Sequence, residues 1–250
     1  MEVLALIPAR GGSKSIPRKN IMTMIDRPLL AWSIYHAEKS KYINRVIVST
    51  DDNEISEIAL KWGAEVPFLR PSNISDDESL DIDVFKHTLK WLKENENYCP
   101  DLVVHLRPTG PARKIGLIDK AIKLMSSRKD VDSLRSISLA EQTPFKMWIL
   151  NKDKTMRPAS TLNNVKDAHS IGRQMLPKAY WQNGYVDITR PSTVLEKSSM
   201  VGDSILPFII KDKIHDLDYP EDIPIVASAL KDILEGNNDD IIEETERYPV

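Results

Sequence analysis

Short, near-continuous apolar runs alternate along this chain with longer segments of helical period, and no other feature restricts the fold as much. VLALIPA (Val3–Ala9), RVIVST (Arg45–Thr50), LVVHLRPT (Leu102–Thr109) and SLRSISL (133–139) read as strands, with VPFLR (66–70) as a further candidate. Between them, Pro28–Ser40 spaces Leu29, Trp32, Ile34 and Tyr35 as a helix does. Asp51 or Asp52 can cap the next helix, and Gly63 ends it. A third helix carries Val84, Phe85, Leu89 and Leu92 to about Glu96, and Gly116–Arg128 is a fourth. Strands apolar on both faces must be covered on both. The alternation therefore predicts an α/β fold, a Rossmann-like, mainly parallel sheet with helices on both sides. Such sheets bind ligands beyond the carboxyl ends of their strands.

The pattern lapses between about Leu139 and Tyr180. MWIL is short, NKDK reads as a turn, and NNVKDAHSIGRQMLPK has no clean period. An irregular stretch of that length inside a domain marks a functional segment or an interface. Tyr180 and Trp181 read as core, and Asn183-Gly184 as a turn entering the strand YVDIT. ILPFII is a further strand, and Tyr219–Leu234 a final helix with Pro220 near its start. Residues 1–236 are expected to form one domain that includes a lobe at about 139–184. The acidic stretch 237–250 lacks a core pattern and is expected to be loosely held.

A chain of 250 residues can bury one substantial core. Its net charge of -3 argues against nucleic-acid binding, and no apolar run approaches the roughly 18–20 residues of a membrane span. Cys99 is the single cysteine, and Glu2 stands where a signal sequence has basic residues, so a reducing, cytoplasmic setting is expected.

Against that acidic background, PARGGSKSIPRKN (8–20) crowds Arg10, Lys14, Arg18 and Lys19 around Gly11, Gly12 and Ser13 at the exit of the first strand. It is neither a Walker A sequence nor GxGxxG. The glycines let backbone N–H groups approach phosphate oxygens, and Arg10 and Lys19 can fold over them, the alternative being a solvated basic turn. In HDLDYPED, Asp216 and Asp218 project on one face if the segment is extended, and two hard carboxylates suit Mg²⁺; equally, Asp218 can cap the helix entered at Pro220. LRPTGPAR fixes Arg107, Thr109 and Arg113 beside two prolines, where the arginines can bind an anion or form ordinary ion pairs. Arg173, Gln174, Lys178, Gln182 and Asn183 cluster further on. The five scattered histidines make no metal pattern, and no hydrolase elbow is present.

IPARGGSKSIPRKN, RPLLAWSI, VIVSTDD, FLRPSNISDDES, LRPTGPAR, RQMLPKAYWQNGYVDI and DLDYPEDI, in that order, resemble the acylneuraminate cytidylyltransferases. The resemblance runs from about Leu4 to Leu234. It implies a nucleotide-diphospho-sugar transferase-like fold and transfer of a nucleotide from CTP to a nine-carbon 2-keto-3-deoxy sugar acid, with release of pyrophosphate. It further implies that Arg10 and Lys19 bind the triphosphate, Asn20 lies by the ribose, and Arg70 and Ser79 hold the base. Asp216 and Asp218 would bind Mg²⁺, while Arg173, Gln174 and Asn183 would face the sugar. The segment Gln142–Lys146 would belong to a homodimer contact, with Lys146 reaching the partner's site. Sialate-activating members read QPTSPLR where this chain has RPTGPAR, so Arg107 replaces an amide that faces substrate. That points to a legionaminate-type or pseudaminate-type acid and leaves GTP open beside CTP. A sugar-1-phosphate nucleotidylyltransferase and a silent nucleotide-binding protein are the rival readings.

Overall fold

The computed structural model describes residues 1–163, 165, 167–211 and 214–236. In chain order, β1 (Val3–Pro8) precedes a small ribbon of β2 (Thr23–Met24) and β3 (Arg27–Pro28). Then come α1 (Leu29–Glu38), β4 (Arg45–Ser49) and α2 (Asn53–Lys61). The alternation continues through α3 (Asp81–Glu96), β5 (Leu102–His105), α4 (Leu117–Ser127) and β6 (Ser133–Leu139). An arm carries the hairpin β7 (Trp148–Leu150) and β8 (Met156–Pro158). The chain then returns through β9 (Tyr180–Thr189), α5 (Pro191–Leu195), β10 (Ile205–Ile209) and α6 (Ile223–Leu234).

The main sheet has the order β10-β6-β9-β5-β1-β4. Every pair is parallel except those made by β9, which runs antiparallel to both β5 and β6. Val3, Ala5 and Ile7 of β1 face the core under α1, α2 and α4, while Leu4 and Leu6 face Phe85, Leu89 and Leu92 of α3. Burying one such side chain contributes roughly 1.5–3 kcal/mol, so burial on both faces makes β1 a rigid origin for the loop that leaves it. A third cluster joins Ile16 of that loop to Trp32 of α1 and to Leu217, Val226 and Leu230, which clamps the loop between α1 and α6.

Four expectations are corrected. VPFLR is not a strand: Glu65 makes one parallel bridge to Ile47, and Pro67 then offers no N–H to extend the ladder. Asn183 and Gly184 lie inside β9 rather than in a turn, at a register shift against β6, with Gly184 at φ +63°. Tyr180 and Trp181 are not core; the Trp181 side chain is 69% exposed. The final helix begins at Ile223, after a 3-10 turn over Pro220–Asp222. The expectation for 237–250 lies outside the described residues.

Candidate active site

β1 lies between β4 and β5, and a cleft of about 580 Å³ opens where the carboxyl ends of these strands diverge. The opening loop contributes Arg10, Ser13, Lys14, Lys19 and Asn20 to its lining. Arg70 and Ser79 come from the segment between α2 and α3, and Arg107 and Thr109 from just past the end of β5.

Each of these is braced by its backbone surroundings. Ala9 N–H donates to Ser49 O (3.0 Å), which carries the loop past β4, and the buried Asn20 amide donates to Arg10 O (2.9 Å). Gly11 N–H donates to Asp51 Oδ1 (3.0 Å). A Cβ on Gly11 would stand 2.7 Å from Asp52 Oδ2, so this close approach requires glycine; Gly12 has open space around it. Arg18 turns away from the cleft to pair with Asp52 and Glu54. Lys19 Nζ donates to Leu217 O (2.8 Å) and lies 4.0 Å from Asp218 Oδ1. Burial lowers the Lys19 pKa, and the charges of Asp218 and Asp216 oppose that shift. Arg70, 6% exposed, donates to Ser49 O (2.6 Å), leaves its Nε without a partner, and is likewise lowered by burial.

Three acids of the cleft, Asp76, Asp77 and Asp81, were missed as site residues from sequence. Asp77 pairs with Arg10 (2.9 Å) and with Lys14, and Asp76 accepts from Ser79 Oγ (2.7 Å). Arg113 is structural: it is fully buried, donates to Tyr185 O (2.7 Å), Ser33 Oγ (3.0 Å) and Arg107 O (2.8 Å), and is lowered by burial to about 10.

The helix-cap alternative for Asp218 fails. Asp222 Oδ2 accepts from the N–H groups of both Asp218 (3.0 Å) and Tyr219 (2.8 Å), which leaves the Asp218 carboxylate exposed beside Lys19. Leu217 N–H donates to Thr109 O (2.8 Å), which lays this segment along the exit of β5. A Cβ on Gly110 would stand 3.2 Å from Asp216 Oδ1, so the glycine of RPTGPAR admits that carboxylate. Asp216 Oδ1 is buried without a partner; burial raises the Asp216 pKa, Arg113 opposes the rise, and the charge of Asp218 adds to it. Among the described residues no three His, Cys, Asp or Glu side chains gather as a metal cage. Two carboxylates with one buried oxygen unused still fit a hard cation that keeps its other positions for water and phosphate.

Gly11, Gly12, Asp216 and Asp218 lie beside residues that line the cleft without themselves lining it, and the remaining expected residues are not brought to it within one chain. Lys146, Arg173 and Gln174 are exposed on the arm, where Arg173 donates to Ala140 O (3.2 Å). Asn183 is buried, donates to Ser138 Oγ (2.8 Å) and accepts from Tyr185 N–H (3.2 Å), which braces the irregular part of β9.

A mainly parallel α/β sheet with a cation-lined cleft at its switch point suits the binding of a phosphate-bearing ligand. Residues 4–171 match the cytidylyltransferase family model, and the chain belongs to that family. It is 41% identical over 121 residues to a pseudaminic acid cytidylyltransferase of Campylobacter jejuni, a match covering 48% of this chain and 52% of that protein. It is 28% identical over 246 residues to the CMP-N,N'-diacetyllegionaminic acid synthase of Legionella pneumophila, covering 97% of this chain and 100% of that one. In fold it resembles a CMP:2-keto-3-deoxy-manno-octonic acid synthetase complexed with CTP, with a TM-score of 0.67 at 15% identity, over 92% of this chain and 99% of that one. Enzymes of this family typically use a divalent metal ion. No helix among the described residues is long and apolar enough to cross a membrane.

Proposed function

We propose that this enzyme activates a nonulosonic acid, a nine-carbon 2-keto-3-deoxy sugar acid of the pseudaminate or legionaminate type, with CTP, giving the CMP-sugar and pyrophosphate. The observation that carries the reading is the convergence of Arg10, Lys19, Arg70 and Arg107 on one cleft, in a chain of the cytidylyltransferase family. The names of the relatives support the sugar class. Family membership favours CTP over GTP and over a sugar-1-phosphate reaction.

In this reading Arg10, Lys19 and the N–H groups of Gly11, Gly12 and Ser13 hold the triphosphate. Binding it requires Asp77 to release Arg10 and Lys14. Asn20 lies by the ribose, and Arg70 and Ser79 meet the base. The sugar's 2-hydroxyl attacks the α-phosphorus in line with departing pyrophosphate, so the chain's work is to position two anions and balance their charge. Arg10, Lys19 and Asp218 act at that centre. Asp216 and Asp218 would hold Mg²⁺, which supplies charge neutralisation on the phosphates when bound. Arg107 and Thr109 face the sugar.

Lys146, Arg173 and Gln174 serve the sugar from the arm, and Asn183 braces the strand beneath it. Residues 1–236 act as one domain with the arm, about 139–184, as its dimerisation lobe. Leu150 (78% exposed), Met156 and Trp148 supply an apolar face for a second copy in a homodimer. A cytoplasmic setting, where CTP is supplied, belongs to the same proposal.

The test is pyrophosphate release with Mg²⁺, crossing CTP and GTP with N-acetylneuraminate, legionaminate, pseudaminate and Kdo. Turnover with CTP and one nine-carbon acid is expected. Folded protein that is silent across the grid, or that turns over only with GTP, overturns the reading.

A further inference from the structure

The sheet face beneath α3 carries a polar row among otherwise apolar neighbours. His105 of β5, Asp187 of β9 and Arg135 of β6 stand directly opposite one another across three adjacent strands, and all three are buried. Asp187 is fully buried, yet its Oδ2 accepts from Arg107 Nη1 (2.8 Å) and from Gln182 Nε2 (3.1 Å), with Arg135 Nη1 at 3.9 Å. Asp187 Oδ1, Arg135 Nε and His105 Nδ1 have no hydrogen-bond partner. Asp81, at the start of α3, lies 3.7 Å from Arg107 Nη2 and 4.0 Å from His105 Nδ1.

Stability is a weak reason to keep a carboxylate there, because the desolvation cost of a buried ion pair generally consumes its attraction. What Asp187 does provide is direction. Arg107 leaves the end of β5 at the lip of the cleft, and Asp187 is its hydrogen-bonded side-chain anchor. One Nη held from below fixes the plane of the guanidinium, and its other N–H donors then form a rigid fork facing the cleft. The fork lies next to the reacting centre: a Cβ on Gly184 would stand 3.5 Å from Arg107 Nη1 and 3.6 Å from Asp216 Oδ2, so the two groups flank one point. The same Asp187 oxygen holds Gln182, a side chain of the sugar-side strand.

We propose that Asp187 is a positioning residue for sugar selection, gripping Arg107 and Gln182 together so that their free donors present one fixed pattern to the acidic sugar. This rests on the function proposed above. It differs from that reading in assigning selectivity to a residue that touches no substrate.

The test is a double-mutant cycle of Asp187→Asn and Arg107→Gln, measuring KM for the sugar acid that the wild type turns over, KM for CTP, and kcat. Each single variant is expected to raise the sugar KM about tenfold with the CTP KM within about twofold, as for loss of a charge-assisted hydrogen bond. In the Arg107→Gln background, Asp187→Asn is expected to raise the sugar KM by clearly less than it does alone, since the part of its effect that passes through Arg107 is already lost and only the grip on Gln182 remains. An unchanged sugar KM, effects that multiply, or a parallel rise in the CTP KM overturns the proposal. Should Asp187→Asn fail to fold, Arg107→Lys carries the test, because it keeps the charge and loses the fork; an unchanged sugar KM there overturns the proposal equally. A wild type that turns over no sugar acid brings down the function and this inference together. An active wild type with an indistinguishable Asp187→Asn brings down the inference alone.

Discussion

At the carboxyl ends of β1, β4 and β5 the cations expected to meet a nucleotide are anchored: Lys19 to Leu217 O, Arg70 to Ser49 O, Arg10 to Asp77. On the arm the cations Lys146 and Arg173 are exposed, and around them so are Met147, Trp148, Ile149, Leu150 and Met175. Strands buried on both faces hold the first set in place. The second sits on short 3-10 turns, Pro144–Lys146 and Arg173–Met175, that flank a two-strand hairpin, a unit that is at best marginal alone in water. The cleft's cations are thus braced within one chain, whereas the arm's groups are left exposed, to be covered by the second copy of the proposed homodimer.

The largest effect that can break this comparison is expected from Asp216→Asn, which neutralises the carboxylate with the unused buried oxygen. Turnover should fall by about a hundredfold or more, while CTP affinity measured without metal stays near the wild-type value. Retained turnover would remove Asp216 from the centre. Next comes Leu150→Asp on the arm. It should shift the protein from dimer to monomer in light scattering and cut sugar turnover about tenfold or more, with CTP affinity unchanged. Loss of CTP binding in that variant would mean that the two regions are not separable.

The smallest effect is acid lability seated in the sheet region. Burial holds His36, which donates to Pro111 O (3.1 Å) as a neutral ring, down at about 3, and His105 well below its ordinary range. A histidine lowered in the fold binds its proton more readily when unfolded. Its contribution is therefore complete above the unfolded value of about 6.5 and is lost as pH falls towards 3. Between pH 7 and pH 6 each such histidine should cost roughly 0.7 kcal/mol of stability, read by denaturant unfolding at the two values. His36→Asn should remove that histidine's share of the loss, roughly 0.7 kcal/mol; an unchanged slope would show that His36 is not buried neutral.

The same contrast explains what the sequence discloses. VLALI, RVIVS and LVVHL are legible because burial on both faces leaves an unbroken apolar run. The basic loop is legible because cations crowd a pair of glycines at a strand exit. VPFLR misleads because its apolar side chains fit a strand while Pro67 stops the ladder after one bridge. Asn183-Gly184 imitates a hairpin turn but sits in a strand whose register shifts against β6. Trp181 looks like core, yet it lies in the part of β9 that projects towards the arm, and what would cover it is not local information. The row of His105, Asp187 and Arg135 is invisible along the chain, because only the antiparallel insertion of β9 between β5 and β6 sets those three side by side.

In the proposed function the cleft bounded by the opening loop takes CTP by its phosphates. Calorimetric titration of CTP into the wild type and into Lys19→Ala tests it most directly. Binding by the wild type is expected, with an affinity lower by about tenfold or more in the variant, as when the triphosphate loses a partly buried cationic partner. Equal affinity in the two proteins would contradict it and move the triphosphate elsewhere on the molecule.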